Sequence, residues 1–323
     1  MHPLLTPASR ALLLLPLLAC STLAAEPEGF GLDLDAYGTL SAVHANRDDA
    51  DFVASLQQPE GAGFSNSVAY GIDSRVGLQL TATFTPRLTA VVQVVSEQQY
   101  DESYTPVVEW ANVKYDVTPD FSLRAGRIVL PLLMTSEYRK VGYANHWVRP
   151  PVEVYHMVPV TNNDGVDASW RKQFGDYTYT LLAYTGSRDA ELPGGKVRGE
   201  NSSGIINTLE FGNTQLRFGL TRSKLDSAYI NAFFDLFRPF GAQGNAIADR
   251  YDFASTPLEA AVLGAHYDPG NWFAMAEWIR IDTDSFLGTS RAWYVSGGLH
   301  YGKFTPFMTY ARKDSVDQRA REP

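Results

Sequence analysis

Histidine is the side chain best suited to proton transfer and metal binding near neutral pH. Beyond the first 25 residues the chain carries five of them: His44, His146, His156, His266 and His300. Catalysis by histidine needs a nucleophile or carboxylate placed against the ring, and no Ser-His-Asp spacing singles out any of the five. No His-x-x-x-His pair and no acidic cluster stands out as a metal motif. The sequence therefore predicts no enzyme, no metal site and no cofactor.

Charge and composition exclude further classes. The 323 residues include 27 Lys and Arg against 36 Asp and Glu, a net charge of −9. This acidic excess argues against a nucleic-acid partner, because such proteins normally show a basic footprint. The 17 Tyr, 17 Phe and 6 Trp argue against disorder. A single cysteine excludes a disulfide framework and any multi-cysteine zinc or iron–sulfur site.

Residues 1–25 are predicted to be a secretory signal peptide. Arg10 precedes the apolar run 11–19, and small residues follow at Ala24 and Ala25, where a signal peptidase could cut. The alternative is a lipobox at 17–20, which would leave a lipid-anchored Cys20. No later segment approaches the roughly 18 apolar residues that a membrane helix needs. We therefore expect an exported protein that does not cross a membrane as a helix.

The elements that must position the remaining side chains are β-strands, because apolar and polar residues alternate with a period of two. In segment 75–84, for example, Val76 and Leu80 share one face with other apolar residues, whereas Arg75 and Gln79 share the polar face. The pattern predicts an all-β protein. About thirteen strands are expected, at 32–44, 70–84, 88–98, 106–117, 121–130, 165–174, 177–186, 203–211, 215–224, 258–268, 272–282, 290–301 and 304–313.

Short and long connections alternate along the chain. The short ones, such as 85–87 and 302–303, consist of turn-type residues. Tight turns at one end and longer loops at the other are typical of a transmembrane antiparallel β-barrel in contact with outer-membrane lipid. A soluble Greek-key sandwich would not sort its connections by length in this way. The longer connections are expected at 45–69, 99–105, 131–164, 187–202, 225–257 and 283–289.

Four short motifs resemble the general porins of Gram-negative outer membranes: Ala36-Tyr-Gly-Thr-Leu40, Asp73-Ser-Arg-Val-Gly-Leu78, Glu109-Trp-Ala-Asn-Val113 and Leu123-Arg-Ala-Gly-Arg127. The resemblance implies a water-filled channel for passive diffusion of small hydrophilic solutes and ions, assembled as a homotrimer. It also implies sixteen strands and a third loop, 131–164, folded into the lumen. Because only about thirteen strands are counted and residues 317–323 are polar, we expect the sequence to be truncated at its C-terminus.

Strand parity predicts which charges face the lumen, because a cation facing lipid at mid-bilayer costs about 2–4 kcal/mol. Arg127 has the opposite parity to Arg124 and is placed on the lumen wall by the resemblance alone. The resemblance also implies acidic loop groups facing a basic wall. The predicted constriction therefore sets Arg75, Arg124 and Arg127 against Glu137 or Glu153. The side chains that parity turns inward to line the rest of the pore are Lys114, Asp116, Asp167, Arg171, Arg217 and Glu210.

Two other functions stay open at this stage. Arg149-Pro150-Pro151 and nearby aromatic residues could form a binding site for a sugar or another solute, since aromatic faces stack on such ligands. That site would make the protein a solute-specific channel. An adhesive or structural barrel is the third reading. The apolar segment 231–239 in the fifth outer loop fits packing into the lumen, contact with a partner subunit, or a place at the membrane surface.

Overall fold

The computed structural model describes residues 29–316, so the predicted signal peptide at 1–25 and the polar segment 317–323 lie outside the described residues. Within this range thirteen strands form one antiparallel sheet, in which each strand pairs with its neighbours along the chain. Two further short strands, β2 and β3, pair separately. In chain order the strands are β1 (Gly31–Thr39), β2 (Val43–His44), β3 (Val68–Ala69), β4 (Arg75–Thr85), β5 (Leu88–Glu97), β6 (Val107–Thr118), β7 (Phe121–Val129), β8 (Asn162–Phe174), β9 (Tyr177–Leu192), β10 (Gly195–Phe211), β11 (Thr214–Asp226), β12 (Thr256–Tyr267), β13 (Trp272–Thr283), β14 (Thr289–Leu299) and β15 (Phe307–Val316).

One face of the sheet is apolar and exposed. The register sets Leu34 opposite Leu80, and Leu80 opposite Val92, so the apolar side chains of neighbouring strands adjoin. Each of these three side chains is more than two-fifths exposed. The band continues through the later strands, where Val113, Leu123, Ile205, Leu220, Leu263 and Val295 are similarly exposed. An apolar band across so many strands is the pattern of a lipid-facing barrel surface.

The all-β prediction and the number of strands are confirmed, but the first predicted strand is too long. β1 ends at Thr39, and residues 43–44 belong instead to β2, which pairs with β3 at the far end of the first long connection. A small apolar cluster of Ala62, Ala69 and Ile72 holds this connection together. The chain therefore leaves the sheet earlier than the alternation indicates, because these residues have a local core of their own.

The predicted loop at 187–202 is wrong. β9 and β10 continue as a hairpin almost to its tip, and only residues 193–194 connect them. Lys196 lies opposite Glu191, and Arg198 lies opposite Asp189, with side-chain distances of 2.9 Å in both pairs. Opposite charges directly across two antiparallel strands contribute roughly 0.2–1 kcal/mol each. These cross-strand pairs extend the ladder into a polar segment where alternation of apolar residues has ended.

The fifth outer loop contains two helices, α2 (Ala228–Asp235) and α3 (Ala242–Arg250). The Ser227 side chain accepts a hydrogen bond from the backbone N–H of Ile230 and so caps α2. Phe234 packs on Phe286 of the next outer loop, with ring centroids 5.6 Å apart. Phe240 remains 77% exposed. The apolar segment 231–239 thus packs in part onto a neighbouring outer loop, a placement not among those considered from the sequence.

The third long connection occupies residues 130–161, because β8 begins at Asn162. It contains a 3-10 turn at Gly142–Ala144 and the single-turn helix α1 (Val152–Tyr155). The turn contacts β1, whereas α1 contacts β13, β14 and β15. A loop that touches both ends of the strand order must lie on the concave inner face of a curved sheet. The inner core around it is built from Ile128, Leu130, Leu132, Leu133, Met134, Trp147, Val154, Tyr155, Val158, Tyr184, Ile206, Val262, Met275, Ile279, Ala292 and Tyr294.

The curved sheet has two edges within residues 29–316. No strand pairing joins β1 to β15 in this range, so the barrel is not closed by the described strands. Sixteen strands therefore stay a prediction. No helix among the described residues combines the length and the apolar character needed to cross a membrane.

The orientation of the two faces gives a first testable prediction. We expect Leu80→Arg to lower the free energy of unfolding in phosphatidylcholine vesicles by about 2–4 kcal/mol, because it places a cation on the exposed apolar face. Thr81→Arg is the matched control, since the next residue of β4 points to the inner face. Urea titration followed by tryptophan fluorescence measures both. Equal losses in the two variants would contradict the assignment of the outer face to lipid.

Candidate functional site

Lys140 of the third loop lies between two carboxylates of the sheet. Its Nζ is 2.6 Å from Oε1 of Glu97, the last residue of β5, and 2.8 Å from Oε2 of Glu109 in β6. Arg75 lies directly opposite Glu97 in the register, with Nε 3.6 Å from Oε2. The four side chains form a continuous row of alternating charge where the third loop meets the sheet wall.

A β-bulge gives Glu109 its place in this row. Gln93 of β5 pairs with Trp110, and the next residue, Val94, pairs with Val108, so Glu109 has no partner across the ladder. An unpaired bulge residue re-aims its side chain relative to strict alternation. The Glu109 side chain is 95% buried and points at the ammonium of Lys140.

Lys140 is charged in this position despite its burial. Burial alone lowers the pKa of the Lys140 ammonium, but Glu109 and Glu97 outweigh that effect and leave its pKa above the ordinary value. The ammonium donates a hydrogen bond to each carboxylate. The third loop is therefore fixed to this side of the sheet by a charged group.

These contacts differ from the predicted constriction on the side of Arg75, while the predicted opposition of Arg124 to Glu137 or Glu153 stays a prediction. Acidic loop groups were expected to face a basic wall, whereas here a loop cation faces wall carboxylates. Glu137 is exposed and Glu153 is half-buried. Within residues 29–316, no ion pair joins either of them to Arg75 or Arg124. Parity finds which strand charges point inward, but it does not predict the loop conformation that selects their partners.

A second group of inward charges lies around β7 and β8. Arg124 is directly opposite Asp167, and its Nη2 is 2.7 Å from Oδ2 of that carboxylate. Arg217 of β11 donates from Nη1 to the backbone oxygen of Leu133 in the third loop, at 2.6 Å. The other predicted pore-lining residues pair along the inner face: Lys114 with Asp116 at 2.8 Å, and Arg171 with Glu210 at 2.9 Å.

Arg127 faces the other way. The register places it opposite Ala111 and Asp164, on the same side as Leu123 and Ala125. Its guanidinium donates to both carboxylate oxygens of Asp164, at 2.7 and 3.0 Å. The prediction that Arg127 lies on the lumen wall is therefore wrong. Its parity relative to Arg124 gave the correct side, and the family resemblance did not.

Glu277 holds the start of the third loop against the opposite wall. This β13 carboxylate is 4% exposed and accepts three hydrogen bonds. The donors are the backbone N–H of Met134 at 2.6 Å and the hydroxyls of Tyr155 and Tyr294, each at 2.7 Å. Glu277 is not among the predicted site residues, although its parity is readable from the alternation of Met275, Glu277 and Ile279. Its loop partners lie more than 120 residues away.

Two of the residues considered for a specific solute site, Arg149 and Trp147, are engaged with the protein, whereas the nearby Tyr143 is 72% exposed. Arg149 donates from Nε to Oδ1 of Asp73 at 2.9 Å, and its guanidinium lies 4.8 Å from the ring centroid of Phe52. Trp147 is 6% exposed and donates from Nε1 to Oγ1 of Thr309 at 3.0 Å. These side chains anchor the third loop to the first loop and to β15. Their binding surfaces are occupied by these contacts.

A polar cavity of about 90 Å³ remains between the first and third loops. Its lining includes Arg75, Glu97, Lys140 and His156. Since a water molecule occupies about 30 Å³ in the liquid, the cavity suits a few waters or a small ion. Charged groups that line such a cavity act on the electrostatic energy of any ion that enters it.

Solved structures with a similar fold include outer-membrane channels. OmpF of Salmonella typhi, in complex with daunomycin, is 12% identical, with a TM-score of 0.55 over 89% of this chain and 80% of that chain. An anion-selective porin from Comamonas acidovorans is 11% identical, with a TM-score of 0.44 over 89% and 90%. The outer-membrane channel DcaP of Acinetobacter baumannii is 10% identical, with a TM-score of 0.40 over 88% and 91%. No family model and no curated protein matches the sequence. The chain has a porin-like fold.

Proposed function

We propose that this protein is a non-enzymatic porin of a Gram-negative outer membrane that lets small hydrophilic solutes and ions diffuse passively. The observation that carries the proposal is the opposition of two faces in one antiparallel sheet. The outer face is an exposed apolar band, and the inner face carries the ion pairs and the third loop. A sheet with these faces places lipid outside and water inside.

The proposed selectivity rests on how the charges are arranged across the lumen. Lys140, Glu97 and Glu109 lie on one side, while Arg124 and Asp167 lie farther along the sheet. Fixed charges of both signs in a narrow passage orient water and polar solutes and disfavour apolar ones. The engagement of Arg149 and Trp147 with the protein favours a general channel over a solute-specific one. We also propose assembly as a homotrimer, which the resemblance implies and native mass spectrometry of the detergent complex would test.

Single-channel recording in a planar lipid bilayer tests the proposed function. We expect ohmic steps that are unchanged by neutral sugars, amino acids or phosphate at millimolar concentration. Block by one solute class at micromolar concentration would favour a solute-specific channel instead. Absence of conductance from the full-length protein, folded and inserted, would contradict both channel functions and favour an adhesive or structural barrel.

The inward arginines give a prediction about ion selectivity. In the double variant Arg75→Gln/Arg124→Gln, we expect the cation-to-anion permeability ratio to rise about two- to threefold, because two fixed positive charges leave the lumen. The reversal potential in a tenfold KCl gradient measures this ratio. Arg127→Gln is the matched control, since Arg127 lies on the outer side and should leave the ratio unchanged. A ratio that moves with Arg127 and not with the double variant would overturn the assignment of the two faces.

A further inference from the structure

Three side chains with metal-binding atoms converge at the short-turn end of the inner face. They are His146 from the third loop, His266 from the end of β12, and Asp268 from the turn that follows. One ligand atom from each lies within 4.8 Å of the other two. None of these residues takes part in the ion pairs of the proposed pore. The cluster joins a loop to the sheet wall through residues more than 100 positions apart in sequence.

The turn fixes the position of Asp268. Its Oδ1 accepts a hydrogen bond from the backbone N–H of Gly270 at 2.8 Å. Its backbone N–H donates to the carbonyl oxygen of Asn213 at 3.0 Å, and its own carbonyl accepts from Nδ2 of Asn213 at 2.8 Å. These bonds fix the carboxylate at the short-turn end of the sheet without a bound ion.

Neighbouring rings and a third histidine orient the cluster. The His146 ring stacks on Phe273, with centroids 3.9 Å apart and planes at 11°. His300 lies with Nε2 3.3 Å from Oδ2 of Asp268, and its Nδ1 is 3.4 Å from Oγ1 of Thr305. Carboxylates that bind a metal are in turn hydrogen-bonded to outer partners, which orient them.

We propose that His146, His266 and Asp268 bind a divalent transition-metal ion of the zinc class, with His300 as a positioning residue for Asp268. Two imidazole nitrogens and one carboxylate oxygen form a ligand set that zinc accepts, with water in the fourth position. Calcium and magnesium prefer oxygen ligands throughout, so two histidines select against them. Zinc–ligand bonds are about 2.0–2.2 Å long, and the three ligand atoms already lie within 4.8 Å of one another.

The bound ion ties the tip of the third loop to the turn between β12 and β13. His146 belongs to the loop, and the other two ligands belong to the wall. The loop start is already held by Glu277, and its middle by Lys140. Trp147, next to His146, already holds this part of the loop to Thr309 of β15, so zinc adds a further attachment at the end of the lumen opposite the long outer loops.

Equilibrium dialysis with ZnCl₂ tests this site on the purified full chain in detergent micelles, after treatment with EDTA. We expect one zinc ion per chain with a micromolar or lower Kd, and at least a tenfold weaker Kd in both His146→Ala and His266→Gln. His156→Ala is the matched control, because His156 is in the same loop but outside the cluster, and it should bind zinc as the parent does. His300→Gln is expected to weaken binding about tenfold, as loss of an outer partner does.

Asp268→Asn separates a folding defect from loss of a metal ligand, because asparagine keeps a side-chain oxygen that can accept the hydrogen bond from the backbone N–H of Gly270. Circular dichroism of every variant checks that it folds. Cobalt(II) gives a second readout, since tetrahedral coordination produces visible absorption bands. His146→Ala and His266→Gln should lose these bands. No stoichiometric zinc binding by the parent chain would overturn the proposal. So would equal binding by the parent, His146→Ala and His266→Gln. The titration requires no conductance, so its failure and the failure of the proposed channel function are distinguishable.

Discussion

Replacing Glu277 with leucine is expected to lower the free energy of unfolding by about 3–9 kcal/mol, because three donors lose their shared acceptor and each unsatisfied buried donor costs about 1–3 kcal/mol. The donors are the backbone N–H of Met134 and the hydroxyls of Tyr155 and Tyr294. The side chain volume changes little, so a cavity contributes little to the loss. Urea unfolding in detergent micelles, followed by tryptophan fluorescence, measures the difference.

Two further variants separate the network from the general effect of removing a carboxylate. Glu259→Leu removes an exposed carboxylate of the same charge one strand away, and it should change the unfolding free energy by less than about 0.5 kcal/mol. Glu277→Gln keeps one acceptor oxygen and should lose less than Glu277→Leu. If Glu277→Leu and Glu259→Leu have the same stability, the anchoring role of Glu277 is wrong.

Replacing Lys140 with methionine is expected to lower the free energy of unfolding by about 3–5 kcal/mol. This is the usual effect of removing one partner from a buried ion pair. The reason is that Glu97 and Glu109 then face each other without the cation between them. The third loop should detach from this side of the lumen as a result. Limited trypsin digestion of the folded chain is expected to cut faster at Arg139, which is shielded in the parent protein.

Lys172→Met is the matched control for this change. Lys172 pairs with Asp120, but both side chains are about two-fifths exposed, and an exposed pair contributes only about 0–1 kcal/mol. Lys140→Arg keeps the charge and should recover part of the stability. Equal losses in Lys140→Met and Lys172→Met would show that the buried row of charges does not anchor the loop.

The strands were predictable because each carries its own signal. Alternation in a segment such as 75–84 reports which residues share a face, and the pairing partner adds nothing to that information. Turn residues such as Gly302 then separate one strand from the next. Face assignment by parity was also reliable for Arg124 and Arg127, which lie on opposite sides of β7. At Arg127 the family resemblance gave the wrong side of the strand.

The loop contacts were not predictable, because they depend on how a 32-residue segment crosses the inside of the sheet. Lys140 and Glu97 are 43 positions apart, and Met134 and Glu277 are 143 apart. No periodicity connects such pairs. The same limit applies to His146, His266 and Asp268, which show no metal motif in the sequence because the fold alone brings them together. The tip of the β9–β10 hairpin differs from these loop contacts, because the sequence does carry a signal for it. Glu191 and Lys196 flank a Pro-Gly-Gly turn inside the segment 187–202 that was predicted as a loop.

The hairpin of β9 and β10 is longer than a strand pair needs to be to cross a membrane. β9 and β10 contain 16 and 17 residues, or about 50 Å of extended chain at 3.3 Å per residue, whereas a tilted strand needs only about 9–11 residues to cross a bilayer. Set in a membrane, the distal part stands clear of the lipid as a stiff, two-stranded arm. The register shift at Gly199 and Ser202 gives this arm its own twist relative to the barrel wall. A large particle that approaches the surface meets this arm before it meets the channel mouth, and added salt should weaken the ion pairs that stiffen it.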